Sequence, residues 1–118
     1  MSEVPPTPPP SASYSDDTFS SGADLLKAMA HPLRLALLVS LTDCECCVHE
    51  LVEATGATQP LVSQHLRVLR NADLVSRSQR GREVVYTIAD DHINHIVADT
   101  VDHVRLEGVH HEHHVHDA

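Results

Sequence analysis

The stretch VHELVEATGATQPLVSQHLRVL, residues 48 to 69, constrains the fold more than any other part of the chain. It holds two short runs with apolar residues at helical spacing. Gly56 suits the end of the first helix, while Thr58 and Pro60 suit the N-cap and first turn of the second. These signals predict one helix near residues 47 to 55 and another of about 13 residues beginning two residues after Gly56. Two short helices joined by a glycine-containing turn form a helix-turn-helix.

A β-hairpin is predicted directly after these helices. Residues 74 to 76 and 84 to 88 are β-rich runs on either side of a polar turn centred on Gly81. Further helices are predicted near residues 22 to 30, 32 to 41 and 90 to 107. The fold class expected is mainly α with a small β-hairpin wing: a winged helix-turn-helix, dimeric through its terminal helices.

The two ends of the chain lack a pattern that could be buried. Residues 1 to 20 are rich in Pro, Ser and Asp and are expected to form a disordered N-terminal tail. Residues 108 to 118 are expected to form a His-rich flexible tail, whose irregular HHEHHVH run suggests a native metal-capturing segment. A single domain over residues 21 to 107 lies between them, as expected for a chain of 118 residues.

Charge is distributed unevenly along the chain. The net charge is -9, yet five of the eight basic residues lie between residues 58 and 82, where the only acid is Asp73. A locally basic segment can contact phosphates even in an acidic protein, and the second helix of a helix-turn-helix enters the major groove. The predicted DNA contacts are Thr58, Gln59, Ser63, Gln64, His65 and Arg67 on that helix and Arg77, Arg80 and Arg82 on the wing.

The sequence predicts a cytoplasmic protein with no membrane partner. No run approaches the roughly 20 apolar residues that cross a bilayer, and the first residues lack the basic and apolar regions of a signal peptide. The three cysteines are all within residues 44 to 47, a clustering that suits a reducing compartment.

Residues 90 to 103, DDHINHIVADTVDH, place possible metal ligands on a helix with an apolar set. His92 and His103 are three turns plus about 20° apart, so they share a face, but they are about 16 Å apart along the axis. One ion cannot bridge that distance, whereas an antiparallel second copy, with a two-fold axis near Val97 and Ala98, sets His92 of one chain beside His103 of the other. Asp90 at the N-cap can turn back toward His92. The apolar set is expected to bury the dimer contact: Ile93, Ile96, Val97, Val101 and Val104.

The chain contains the strings AMAHPLRLALL, CVHELVEATGATQPLVSQHLRVLRNADLV and RGREVVYTI. Together they resemble the winged-helix metal-sensing repressors of the ArsR/SmtB family. The resemblance spans roughly residues 22 to 105. It implies a cytoplasmic homodimer that binds a palindromic operator and releases it on taking up a metal ion.

The family's C-terminal helix carries an Asp-x-His pair completed by a His and one further ligand from the other chain. Asp90, His92 and His103 match those positions. Where the family has its fourth ligand this sequence has Leu106, so Glu107 is the nearest substitute and His110 the next. Imidazole and carboxylate ligands suit Zn²⁺. If histidines of the tail expanded the site to octahedral coordination, it would suit Co²⁺ or Ni²⁺.

Relatives also carry a soft-metal site at the start of the third helix. Cys47 and His49 match it, and Cys44 or Cys46 could complete a thiolate set, which would select Cd²⁺, Pb²⁺, As(III) or Zn²⁺. Two alternatives to a zinc-responsive repressor therefore stay open. One is a thiol-based sensor of arsenite, cadmium or an oxidant, and the other a His-rich metal-buffering protein. An enzyme is not expected, since no Ser/His/Asp or Cys/His arrangement is evident.

Overall fold

The computed structural model describes residues 15 to 106. This part of the chain has five helices and three short strands, and the predicted winged helix-turn-helix class is confirmed. In chain order the elements are α1 (Asp16–Met29), α2 (Pro32–Ser40), β1 (Cys46–Cys47), α3 (Val48–Thr55), α4 (Gln59–Asn71), β2 (Val75–Arg80), β3 (Glu83–Ile88) and α5 (Asp91–Leu106). Within the described range no helix is long and apolar enough to span a membrane. Most of the predicted N-terminal tail and all of the His-rich tail lie outside that range.

Helix α1 begins earlier than predicted. Residues 16 to 20, assigned above to a disordered tail, are helical. The Ser15 hydroxyl accepts a hydrogen bond from the Thr18 N–H at 3.3 Å, and Asp16 and Asp17 lie in the first turn, where carboxylates favour the helix dipole. The capping hydrogen bond and the two carboxylates stabilise the first turn, and residues 16 to 20 are all exposed. The sequence prediction relied on apolar residues to bury, so it did not include this turn in the helix.

The turn between α3 and α4 follows the sequence signals. Gly56 has a φ of 76°, the left-handed conformation that ends a helix, and its N–H donates to the Val52 carbonyl at 2.8 Å. Thr58 is in the N-cap position of α4 and Pro60 lies in its first turn. The helix-turn-helix geometry is therefore determined by local backbone preferences.

The sheet is antiparallel with strand order β1-β3-β2. Strands β2 and β3 form the predicted hairpin, closed by the opposed pair Arg80 and Glu83. Between them Gly81 has a φ of 61° and Arg82 a negative φ, as expected for a type II′ turn. Strand β1, only two residues long, was not predicted because an element of that length has no periodicity.

The core lies beneath α4 and draws on all five helices and the sheet. Its largest fully buried side chains are Leu37, Leu38, Leu51, Val62, Leu66, Leu69, Leu74 and Val97. Helices α3 and α4 bury one stripe each against this core, which leaves the opposite face of α4 on the surface.

Candidate nucleic-acid interface and metal ligands

The surface of α4 carries most of the predicted base contacts. Thr58, Gln59, Ser63, Gln64 and Arg67 are all exposed. Helix geometry places Ser63 and Arg67 about 40° apart on the side away from the core, so their side chains can meet the same groove. The sequence prediction did not include Arg70. It lies seven residues after Ser63, a spacing that puts it on the same stripe and that could have identified it.

His65 is buried, so its prediction as a DNA contact was wrong. It is 7% exposed and lies on the buried stripe of α4, three residues after Val62 and four before Leu69. This spacing is the apolar period of the helix, and it was the signal to place His65 in the core. A buried imidazole needs hydrogen-bond partners from the protein.

Arg34 provides the partner of His65. Its Nε donates to His65 Nδ1 at 3.1 Å, and its Nη1 donates to the Ala28 carbonyl at 3.2 Å. The His31 ring lies 4.4 Å from the His65 ring, centroid to centroid. Burial, and then the charges of His31 and Arg34, lower the pKa of His65. His65 is therefore a neutral acceptor that joins α4 to the end of α1 and the start of α2.

The wing presents three exposed arginines, but they are not equivalent. Arg80 Nη2 donates to Glu45 Oε1 at 2.9 Å, which ties the end of β2 to the loop before β1. Arg77 and Arg82 make no ion pair with any residue in the 15–106 range. A surface ion pair contributes about 0 to 1 kcal/mol, so a DNA phosphate can compete with Glu45 for Arg80.

Asp90 and His92, two of the predicted metal ligands, lie close together at the start of α5. Asp90 Oδ1 accepts from the Ile93 N–H at 3.0 Å, so Asp90 caps the helix as predicted. The same oxygen is 3.7 Å from His92 Nδ1, and the His92 side chain is 93% exposed. Two ligands of one tetrahedral zinc ion are about 3.3 Å apart, given bonds of about 2.0 Å. The pair therefore fits a shared ion with a small side-chain movement.

His103 is exposed further along the same face of α5. Within residues 15–106, no group of three or more His, Cys, Asp or Glu side chains is placed to hold a metal ion. Glu107 and His110, the candidate fourth ligands, lie outside the described residues. Within residues 15–106 of one chain, Asp90 and His92 therefore lie together and His103 lies apart from them.

The apolar set of α5 is divided between two surfaces. Ile93 and Val97 are 5% and 0% exposed because they pack into their own protomer's core, so their predicted role in the dimer contact was wrong. Ile96, Val104 and Leu106 are 37%, 51% and 82% exposed. Of the apolar residues in the described part of α5, these exposed ones and the half-buried Val101 are available to a second copy.

The cysteine cluster is only partly assembled. Cys44 Sγ and Cys46 Sγ are 3.9 Å apart, close to the roughly 3.8 Å expected for two thiolates on one zinc ion with bonds of about 2.3 Å. Burial of Cys46, followed by its hydrogen bond to Cys44, raises its pKa to about 11. Cys47 is buried at the N-cap of α3, and the His49 side chain is 78% exposed beside Glu53. The structure pairs Cys44 with Cys46, and the described part of the chain adds no third ligand.

Sequence comparison agrees with this architecture. A family model described as "Bacterial regulatory protein, arsR family" matches residues 31–77. The HTH-type transcriptional repressor SmtB of Mycobacterium tuberculosis is 45% identical over 104 residues, which are 88% of this chain and 73% of that protein. The chain belongs to the ArsR/SmtB family. Members of this family are DNA-binding regulators, so the chain is a transcriptional regulator and not an enzyme.

Comparison with solved structures gives the same architecture. HlyU from Vibrio cholerae superposes with a TM-score of 0.69 at 32% identity, covering 77% of this chain and 96% of that one. Mb0332 from Mycobacterium bovis, described as a homodimeric winged helix-turn-helix DNA-binding domain, gives a TM-score of 0.70 at 28% identity, over 82% and 94% of the two chains. These likenesses agree with the winged helix-turn-helix architecture of this chain.

Proposed function

We propose that this chain is a metal-responsive repressor that binds operator DNA as a homodimer and is released when zinc binds between the C-terminal helices. The observation that carries the proposal is the 3.7 Å pair of Asp90 and His92 at the start of α5, with His103 on the same face three turns later. Co²⁺, Ni²⁺ or Cd²⁺ could occupy the same ligands.

A second copy is needed because α5 separates its own ligands. His92 and His103 are about 16 Å apart along the axis, so a single helix cannot direct both at one ion. An antiparallel α5 would set the partner subunit's His103 beside Asp90 and His92, twice per dimer. The exposed Ile96, Val104 and Leu106 would supply apolar contact between the helices, and Leu26 on α1, 56% exposed, is a further apolar side chain that a second copy could cover. Glu107 or His110 would complete the ligand set.

Release follows from the geometry of the dimer. A dimeric helix-turn-helix binds two half-sites about one helical turn of DNA apart, so the two α4 helices need a defined spacing. Bound zinc would hold the two α5 helices in one mutual orientation. If that orientation moves the α4 helices from the required spacing, operator affinity falls by a coupling free energy of about 1 to 3 kcal/mol. Linkage requires operator DNA to weaken zinc binding by the same factor.

The test is fluorescence anisotropy of a labelled duplex from upstream of the protein's own gene. Apo-protein is titrated at fixed salt, and then Zn²⁺ or Cd²⁺ is added. We expect tight apo binding and release by about one Zn²⁺ per chain. His103→Gln should bind DNA normally and resist zinc, whereas His95→Gln, a matched change elsewhere on α5, should respond like the wild type. Equal zinc response in both variants would contradict the proposed site.

A thiol sensor is the second candidate, favoured by the 3.9 Å separation of the Cys44 and Cys46 sulfurs. It predicts release by Cd²⁺ or arsenite that survives His103→Gln and is lost in Cys44→Ser. A metal-buffering protein predicts several weakly bound ions per chain and no sequence-specific DNA binding. The same titration separates all three functions.

A further inference from the structure

A cavity of about 240 Å³ lies between α4 and the sheet, and arginines dominate its lining. Its residues are Ser63, Leu66, Arg67, Arg70, Arg77 and Tyr86. Two features of the fold bring them together. Ser63, Arg67 and Arg70 follow the spacing i, i+4 and i+7, which places them within about 60° on one face of α4. Arg77 and Tyr86 are directly opposed on β2 and β3, so their side chains lie on the same face of the sheet.

The polar groups of this cavity have no side-chain partner within the described part of the chain. None of the three guanidinium groups has an ion pair or side-chain hydrogen bond within residues 15–106, and no acid lines the cavity. The hydroxyls of Ser63 and Tyr86 likewise have no side-chain partner among the described residues. Tyr86 is 9% exposed, so its hydroxyl is held in place by the core that buries its ring.

Such an arrangement matches one kind of ligand. Guanidinium groups donate paired hydrogen bonds to phosphate oxygens, and hydroxyls add single donors. Three like charges around one cavity repel each other until an anion enters, so the site favours an oxyanion over any neutral ligand. The cavity also lies between α4 and the wing, and a helix that enters the major groove has DNA phosphates on its flanks.

We propose that this cavity is a phosphate subsite, in which Arg67, Arg70, Arg77 and Tyr86 hold one phosphodiester group of the DNA backbone. The proposal rests on the DNA-binding function above and assigns Ser63 to the backbone rather than to a base edge. Arg70 and Tyr86 become DNA contacts. The subsite positions α4 along the groove and carries no base preference of its own.

The test measures duplex affinity against salt concentration for wild type and Arg70→Gln, using both operator and unrelated duplex. Each neutralised phosphate adds about 0.9 to the slope of log K against log salt. Arg70→Gln removes one of the three charges around this phosphate, so it should lower the slope by at most about 0.9. The same relation sets the corresponding loss of affinity at no more than about five-fold at 0.15 M salt and about three-fold at 0.3 M. Both duplexes should be affected equally. Tyr86→Phe should weaken both duplexes without changing the slope, since it removes no charge.

Arg105→Gln is the matched control, because it removes the same charge from α5, away from the cavity. It should leave the slope within error of the wild type. An unchanged slope in Arg70→Gln while the wild type binds duplex would overturn the subsite and leave the repressor proposal intact. An equal loss in Arg105→Gln would also overturn the subsite, because it would show a general charge effect.

A second measurement identifies the source of the oxyanion. Arginine Nε–H signals are followed by NMR during titration with inorganic phosphate, with and without duplex. Saturable shifts of the Arg70 signal that duplex suppresses support the proposal. Shifts that duplex leaves unchanged indicate a site for free phosphate and overturn the assignment to DNA. Absence of any duplex binding by the wild type would instead reject the repressor function itself.

Discussion

Replacing His65 with leucine tests whether this residue stabilises the fold or reads DNA. The substitution keeps an apolar side chain of similar size in the core but removes the acceptor for Arg34 Nε, 3.1 Å away. A hydrogen bond involving a charged group contributes about 1.5 to 3 kcal/mol, and Arg34 is half-buried, so water replaces part of it. We therefore expect a loss of about 1.5 to 2 kcal/mol in the free energy of unfolding.

The assay is thermal unfolding followed by circular dichroism at a fixed protein concentration, since association makes Tm concentration-dependent. A domain of this size changes its Tm by about 4 to 8 °C per kcal/mol, so the expected decrease is about 6 to 16 °C. Gln64→Leu, the exposed neighbour, should change stability by less than about 0.5 kcal/mol but weaken base discrimination. An unchanged Tm in His65→Leu together with altered base preference would refute the buried assignment of His65.

The pH dependence provides an independent measure of the same group. The pKa of His65 is lowered in the folded protein, so the unfolded chain binds a proton more readily. The contribution of neutral His65 to stability is therefore complete above about pH 6.5, the pKa of histidine in the unfolded chain. This contribution is lost as the pH falls through the lower pKa of His65 in the folded protein. His65→Leu should remove that part of the acid-induced loss of stability. An identical pH profile in the two proteins would show that His65 is not buried in the neutral form.

Three other predictions concern local features. Gly56→Ala should lower the free energy of unfolding in urea by about 1 to 2 kcal/mol. The space around the Cα is open, but the φ of 76° strains an L-residue. An unchanged midpoint of urea unfolding would contradict the left-handed cap. Glu50→Ala should cost about 0.5 to 2 kcal/mol, measured in the same way, because its carboxylate accepts from the Cys47 N–H at 2.9 Å. At pH 8, iodoacetamide should alkylate the exposed Cys44 well before Cys46, because the Cys46 pKa of about 11 leaves little thiolate. Peptide mass spectrometry measures the order of alkylation, and earlier alkylation of Cys46 would contradict this prediction.

Local signals in the sequence were enough to predict the helix-turn-helix and the wing. Gly56, Pro60 and Gly81 act through their own backbone conformations, and the apolar period of α4 acts over a few residues. Such preferences need no distant partner, which is why they are visible in the chain itself. The cap of α5 by Asp90 belongs to the same class, because its acceptor and donor are three residues apart.

The neighbours of each functional residue are determined by the tertiary structure. His65 stands among predicted DNA contacts in the sequence, yet Arg34, 31 residues earlier, holds it in the core. Arg80 pairs with Glu45 across 35 residues, and Cys46 joins β3 through a two-residue strand. The phosphate subsite likewise requires α4 and the hairpin to pack together. The physical reason is common to all of these: a side chain's environment depends on elements distant in sequence, which local spacing does not encode.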